Sequence, residues 1–191
     1  LSRRQDHPAL RTAILGDGTA AARRRAVQNF AIRHNNVEVF FAEPGGMGLN
    51  ALLQGRDDYD FCAFAGEDVM LPSDFVRRAL DYFAEGDCGG VQARIAAVGD
   101  GLSARVSAVA SSVSAAERAV REQYGADGLC TLGVLLSRAC IEAVGGFPPV
   151  GEPLPSFAEE AKGAGFSLRF APDIACVRAP RSLPALRAEH R

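Results

Sequence analysis

Glu67 and Asp68 are the residues of this chain with the clearest chemical potential, adjacent carboxylates in the middle of Asp58 to Phe75, DYDFCAFAGEDVMLPSDF. Two neighbouring carboxylates can hold a hard divalent cation through oxygen, and the cation can in turn hold phosphate oxygens. The same pair also reads as a solvated acidic turn with Asp68 capping a helix. Their surroundings are a strand and a helix. Phe61 to Ala65 is a short apolar run, rich in aromatics, after acidic turn residues, and predicts a buried strand. Pro72 suits a first helical position, and Ser73 or Asp74 can cap the free amides. Phe75, Val76, Ala79, Leu80 and Phe83 then follow at helical spacing. The carboxylates therefore fall at the carboxyl end of a strand, where open α/β sheets place their ligands.

A chain of 191 residues can bury a sizeable core as one domain over 1–191. Its formal charge of −2 gives no electrostatic argument for nucleic acid. No run approaches the length needed to span a bilayer, and no signal peptide is visible. The chain opens on Leu1, so membrane segments can lie outside it; the expected location is cytoplasmic, at a membrane face if such segments exist. The five cysteines, Cys62, Cys88, Cys130, Cys140 and Cys176, are odd in number and form no Cys-x-x-Cys pair. They read as buried small hydrophobes in a reducing compartment. His7, His34 and His190 lie far apart and read as surface or helix-end residues.

The remaining elements alternate. Leu10 to Leu15 predicts a strand, stopped by Gly16-Asp17-Gly18. A helix capped by Thr19 runs to about His34, with Ala26, Val27, Phe30 and Ala31 inward and Arg23-Arg24-Arg25 on a solvated face. Val37 to Phe41 is a second strand. Glu43 to Gly48 is glycine-rich and precedes a short helix, Leu49 to Leu53, but carries no P-loop lysine. Gly89 to Ile95 is a further strand. Leu102, Val106, Val109, Val113, Ala116, Val120 and Tyr124 form a packing stripe on a long helix. Val134 to Leu136 predicts a strand leading into a helix over 139–144, ended by Gly145-Gly146. Phe147 to Pro155 holds four prolines and reads as a loop. A helix from Ser156 to Ala164 and two short strands, Ser167 to Phe170 and Ile174 to Val177, follow, with a basic helix candidate from Ser182. Such alternation predicts an α/β fold, a mixed and mainly parallel sheet with helices on both faces.

The ordered pieces resemble a family-2 glycosyltransferase of the GT-A fold (Rossmann-like), in its cellulose-synthase-like branch. Gly-Asp-Gly-Thr at 16–19 is similar to the family's Asp-Gly-Ser, which contacts the nucleotide base. Gly48-Leu49-Asn50-Ala51-Leu52 is similar to its Ala-Leu-Asn-x-Gly-Leu helix, and Ala65 to Pro72 lies where the family has Asp-x-Asp. Ser137-Arg138 with Val144-Gly145-Gly146-Phe147 is similar to Arg-Arg-x-x-Leu-x-x-Val-Gly-Gly-Phe. The family's opening strand, Ile-Pro-x-x-Asn-Glu, has no counterpart, which implies a chain truncated at its N-terminus. The first Asp of Asp-x-Asp is Ala65 and the second is Glu67, so the motif is degenerate. Near the family's catalytic Glu-Asp the nearest acid is Glu152, followed by Pro153 and Leu154, and Arg187 to Arg191 does not show its Gln-x-x-Arg-Trp.

The resemblance implies inverting transfer of a sugar from a nucleotide-sugar donor to a glycan or lipid acceptor. Glu67 and Asp68 would hold Mg or Mn, Asp17 and Asn50 would bind the nucleotide, and Glu152 would be the catalytic base. An alternative is a glycosyltransferase-like domain with impaired catalysis that binds a nucleotide, a glycan or a protein partner. A Rossmann-type dinucleotide binder is a third reading, against which the missing glycine fingerprint counts.

Overall fold

The computed structural model describes residues 6, 8–16, 21–33, 37–41, 50, 53, 56–66, 69–97, 104–106, 108–109, 112–113, 133–146 and 155–178. In chain order the elements are β1 (Thr12–Gly16), α1 (Ala21–Ile32), β2 (Val37–Phe41), β3 (Phe61–Phe64), β4 (Val69–Met70) and α2 (Phe75–Asp81), which a 3₁₀ turn, Tyr82–Glu85, continues. Next come β5 (Cys88–Ala97), β6 (Val134–Ser137), α3 (Arg138–Ala143), α4 (Pro155–Gly163) and β7 (Ser167–Arg178). Strand β1 pairs with β2 in parallel. The other strands form a sheet in the order β3-β6-β5-β7-β4, in which β5 and β7 are parallel while β6 and β4 run against their neighbours. The architecture is the mixed α/β one that the alternation predicts.

Strand β5 is the axis of this sheet. Its first six residues are buried and, Gln92 apart, small or apolar, as suits a strand covered from both sides. The two-residue period of β6 divides the core. Leu135 faces the cluster built with Phe75, Val91 and Ile174, whereas Val134 and Leu136 face Cys140, Ile141 and Phe157. Helix α2 thus covers one face and α3 with α4 the other. Among the described residues no helix is long and apolar enough to cross a membrane.

Several local expectations are corrected. Strand β3 occupies the expected place but is an edge strand, paired only with β6 among the described residues, so Phe61 stays 37% exposed and Ala63 is exposed as well. Helix α2 starts at Phe75, not at Pro72. Asp74 makes no side-chain cap bond, because its carboxylate faces Arg77 and Arg78 at 3.5 and 3.8 Å. Pro155 opens α4, a first-turn position that needs no N–H.

The two C-terminal strands are one. Strand β7 runs through Ala171-Pro172-Asp173, and the register with β5 jumps there, Ala93 facing Ala171 and Arg94 facing Ala175. This bulge is held from outside. Arg94 donates to the Pro172 carbonyl at 3.0 Å, and Arg78 and Tyr82 both donate to the Asp173 carboxylate. The Tyr82 hydroxyl, then Arg78, keeps that carboxyl below its ordinary pKa.

Two amphipathic readings fare worse. Ala26 of α1 is exposed, and Val27, Phe30 and Ala31 are only half-buried. Residues 104–106, 108–109 and 112–113 are helical, but Val106, Val109 and Val113 are 41, 66 and 62% exposed. A helical period identifies a face; it does not supply the surface that covers it.

Candidate functional site

The strand ends carry the candidate residues. Strand β1 stops at Gly16, directly before Asp17, and β3 stops at Phe64, with Ala65 and Gly66 leading to Glu67 and Asp68. Asp17, Glu67, Asp68 and Glu152 themselves lie outside the described residues, as do the glycine-rich run 43–48 and the segment 147–154. Of the sequence-predicted site residues, Asn50 is described. What the structure defines for the others is how their chain neighbours are held.

The two flanks of Glu67-Asp68 are pinned. The Val69 amide donates to the Gly66 carbonyl at 3.1 Å, a hydrogen bond that brackets the pair. Val69 is fully buried and opposes Arg178 at the end of β7. Upstream, the Gly133 amide donates to the Phe64 carbonyl at 2.9 Å, and the Gly133 carbonyl accepts from Ala93 at 2.9 Å. Gln92, 2% exposed, donates from Nε2 to the same carbonyl at 3.3 Å and to that of Ala93 at 3.1 Å. A buried amide is tolerated only with partners, so this knot of β5, Gly133 and the last residue of β3 sets where the acidic pair begins. Sequence reasoning missed Gln92. The available signal was a lone amide in the predicted strand Gly89 to Ile95.

Asn50 belongs to a second assembly. Its carboxamide lies against Gly146, just past α3. Further along, Arg56 pairs with Glu38 of β2 and stacks over Phe40, with 5.5 Å to the ring centre. Arg138 of α3 donates from its backbone to Asp60 at 2.8 Å and from its side chain to the Asp57 carbonyl at 2.9 Å, and its guanidinium covers Tyr59. Asp58 pairs with Arg11, next to β1. The segment before β3, Arg56 to Asp60, thus anchors β1, β2 and α3 to one another. Helix α3 itself is capped by Ser137, whose Oγ accepts from the Cys140 amide at 3.2 Å and donates to the Gly89 carbonyl at 3.3 Å.

Cys88, Cys140 and Cys176 are buried, as expected, and Cys62 is half-buried. Burial pushes the Cys62 thiol up to about 11. Burial first, and then the nearby Cys88, push Cys140 to about 11 as well. These thiols stay protonated at neutral pH and act as apolar filling. Among the described residues no three His, Cys, Asp or Glu side chains gather as a metal-binding group.

No protein-family model and no curated protein sequence matches the chain. Solved structures do. The mannosyltransferase PcManGT from Pyrobaculum calidifontis, in complex with GDP-Man and Mn2+, aligns with a TM-score of 0.71 at 21% identity, over 98% of this chain and 54% of that one. The chain has a glycosyltransferase fold. S. aureus TarS 1-349, in complex with UDP-GlcNAc, aligns with a TM-score of 0.63 at 16% identity, over 94% of this chain and 52% of that one. The chain spans about half the length of both structures.

Proposed function

We propose that this chain is the donor-binding part of a family-2 glycosyltransferase of the cellulose-synthase-like branch, transferring a sugar with inversion to a glycan or lipid hydroxyl. The observation that carries this reading is the fold shared, over 98% of the chain, with a mannosyltransferase held with GDP-Man and Mn2+. Glu67 and Asp68 suit a divalent cation, since they offer hard carboxylate oxygens and both their flanks are tied to the core. Bound there, the cation would hold the diphosphate and neutralise its leaving charge. Asp17 follows β1 and accepts hydrogen bonds from the nucleotide. Glu152 takes the proton from the acceptor hydroxyl while that oxygen bonds to the anomeric carbon. The bond from that carbon to the phosphate oxygen breaks, and its electron pair leaves on the diphosphate.

One observation favours a second reading, a domain that binds the donor and transfers it poorly. Ala65 follows β3 where the resembled family has an Asp, and it is exposed with no carboxylate to offer. Turnover of nucleotide sugars separates the two readings.

Metal dependence tests the shared part of both. Calorimetry with GDP and UDP is expected to show binding that weakens at least about tenfold without Mn2+, roughly one lost charge-assisted contact. Asp68→Ala should weaken binding to a similar degree with Mn2+ present. Equal affinity in the variant would remove Asp68 from the site.

A further inference from the structure

We infer that Asn50 is a positioning residue, acting through Gly146 on the point where the chain leaves α3. The contact is specific. A Cβ on Gly146 would stand 2.6 Å from Asn50 Oδ1, 3.1 Å from Cγ and 3.3 Å from Nδ2, so the carboxamide fills the space that only a glycine leaves open. Gly146 also has φ +102°, outside the range most side chains adopt. The neighbouring Gly145 differs, since no described residue lies within 4 Å of its Cβ position. Gly146 is therefore gripped from two sides. Its amide donates to the Ile141 carbonyl at 2.9 Å, and Asn50 occupies its Cβ side.

The segment that delivers Asn50 is fixed independently. Leu53 packs against the cluster that holds Cys140 and Ile141. Arg56 ties the segment to Glu38 on β2, and Arg138 ties it to α3 at Asp57 and Asp60. Asn50 thus stands at the end of a bracket running from β2 to α3, so the place of Gly146 is set from β2. Residues 147–154 follow Gly146 directly and contain Glu152. The consequence for transfer rests on the function proposed above; the joint itself does not.

The test compares wild type with Asn50→Ala, Asn50→Asp and Gly146→Ala, using amide exchange at Gly146, calorimetry with GDP and UDP plus Mn2+, and diphosphate release. Asn50→Ala should speed exchange of the Gly146 amide about tenfold, by opening the grip on one side. Nucleoside diphosphate affinity should stay within about twofold, and kcat should fall about 10- to 100-fold with KM little changed, as small misplacements do. Asn50→Asp keeps the shape of the side chain and should restore slow exchange. In the Asn50→Ala/Gly146→Ala double variant the loss should be less than the sum of the single losses, because removing the carboxamide vacates the space that the new methyl enters. Weakened nucleotide binding with unchanged Gly146 exchange would make Asn50 a nucleotide ligand and overturn the inference. Unchanged exchange with unchanged affinity would overturn it too. If wild type turns over no nucleotide sugar, the proposed function fails, while the exchange data still decide the joint.

Discussion

Glu152→Gln is expected to lower nucleotide-sugar turnover by about 10²- to 10⁴-fold, the usual effect of removing a general base. The substitution keeps the size and shape of the side chain and removes its ability to take a proton at neutral pH. Donor binding runs through other residues in this account, so affinity for the nucleoside diphosphate should change by no more than about twofold, against that rate loss. Diphosphate release, measured beside calorimetry on the same preparations, separates the two quantities. The effect should fall on kcat, since the proton moves only as the acceptor oxygen attacks. Equal kcat in the variant would take Glu152 out of the mechanism. Robust turnover by wild type would reject the reading of a poor or silent catalyst that Ala65 favours, and the absence of turnover with intact donor binding would support it.

Gly133→Ala is expected to be strongly destabilising. Gly133 has φ +63°, and its added methyl would stand 2.9 Å from Cys176 Sγ and 3.2 Å from Ile95 Cδ1. The left-handed backbone costs a side chain about 1–2 kcal/mol. Overpacking typically costs about 1–3 kcal/mol more. The sum, about 2–5 kcal/mol, is a large share of a stability that is commonly about 5–15 kcal/mol. Its effect also reaches the site, because Gly133 joins Ala93 of β5 to Phe64 at the end of β3. Chemical denaturation should show a lower midpoint, and Mn2+-dependent nucleotide binding should weaken with it. Cys176→Ala frees space beside the new methyl, so the double variant should recover some of the packing part of the loss and none of the backbone part. A midpoint equal to wild type would show that the turn tolerates a Cβ.

The sequence was most informative where local chemistry decides the structure. Strand β2 lies where its apolar run places it, and α3 falls within one residue of its predicted span before Gly145-Gly146. The ordered strand and helix signals were enough for a mixed α/β fold. Features decided by distant residues were not legible. The continuation of β7 through Pro172 depends on Arg78, Tyr82 and Arg94, none of which is near it in sequence. The exposure of Phe61 depends on which strands flank β3, and the exposure of Val109 on what covers its helix. At the candidate site, adjacent carboxylates are visible in any sequence. That Gln92 and Gly133 set the start of the acidic pair is not, because the bonds join β5, the residue before β6 and the end of β3. The contact of Asn50 with Gly146 is equally silent in sequence, since its motif suggests a ligand and its surroundings suggest a support.

Donor binding is the central claim, and one titration tests it most directly. The chain, with Mn2+ present, is titrated calorimetrically with a panel of nucleotide sugars that includes GDP-mannose and UDP-GlcNAc, and in parallel with NAD+. The account predicts saturable binding of at least one nucleotide sugar, lost on chelation of the metal, and no binding of NAD+. Binding of NAD+ alone, or of no nucleotide sugar in the panel, would contradict it.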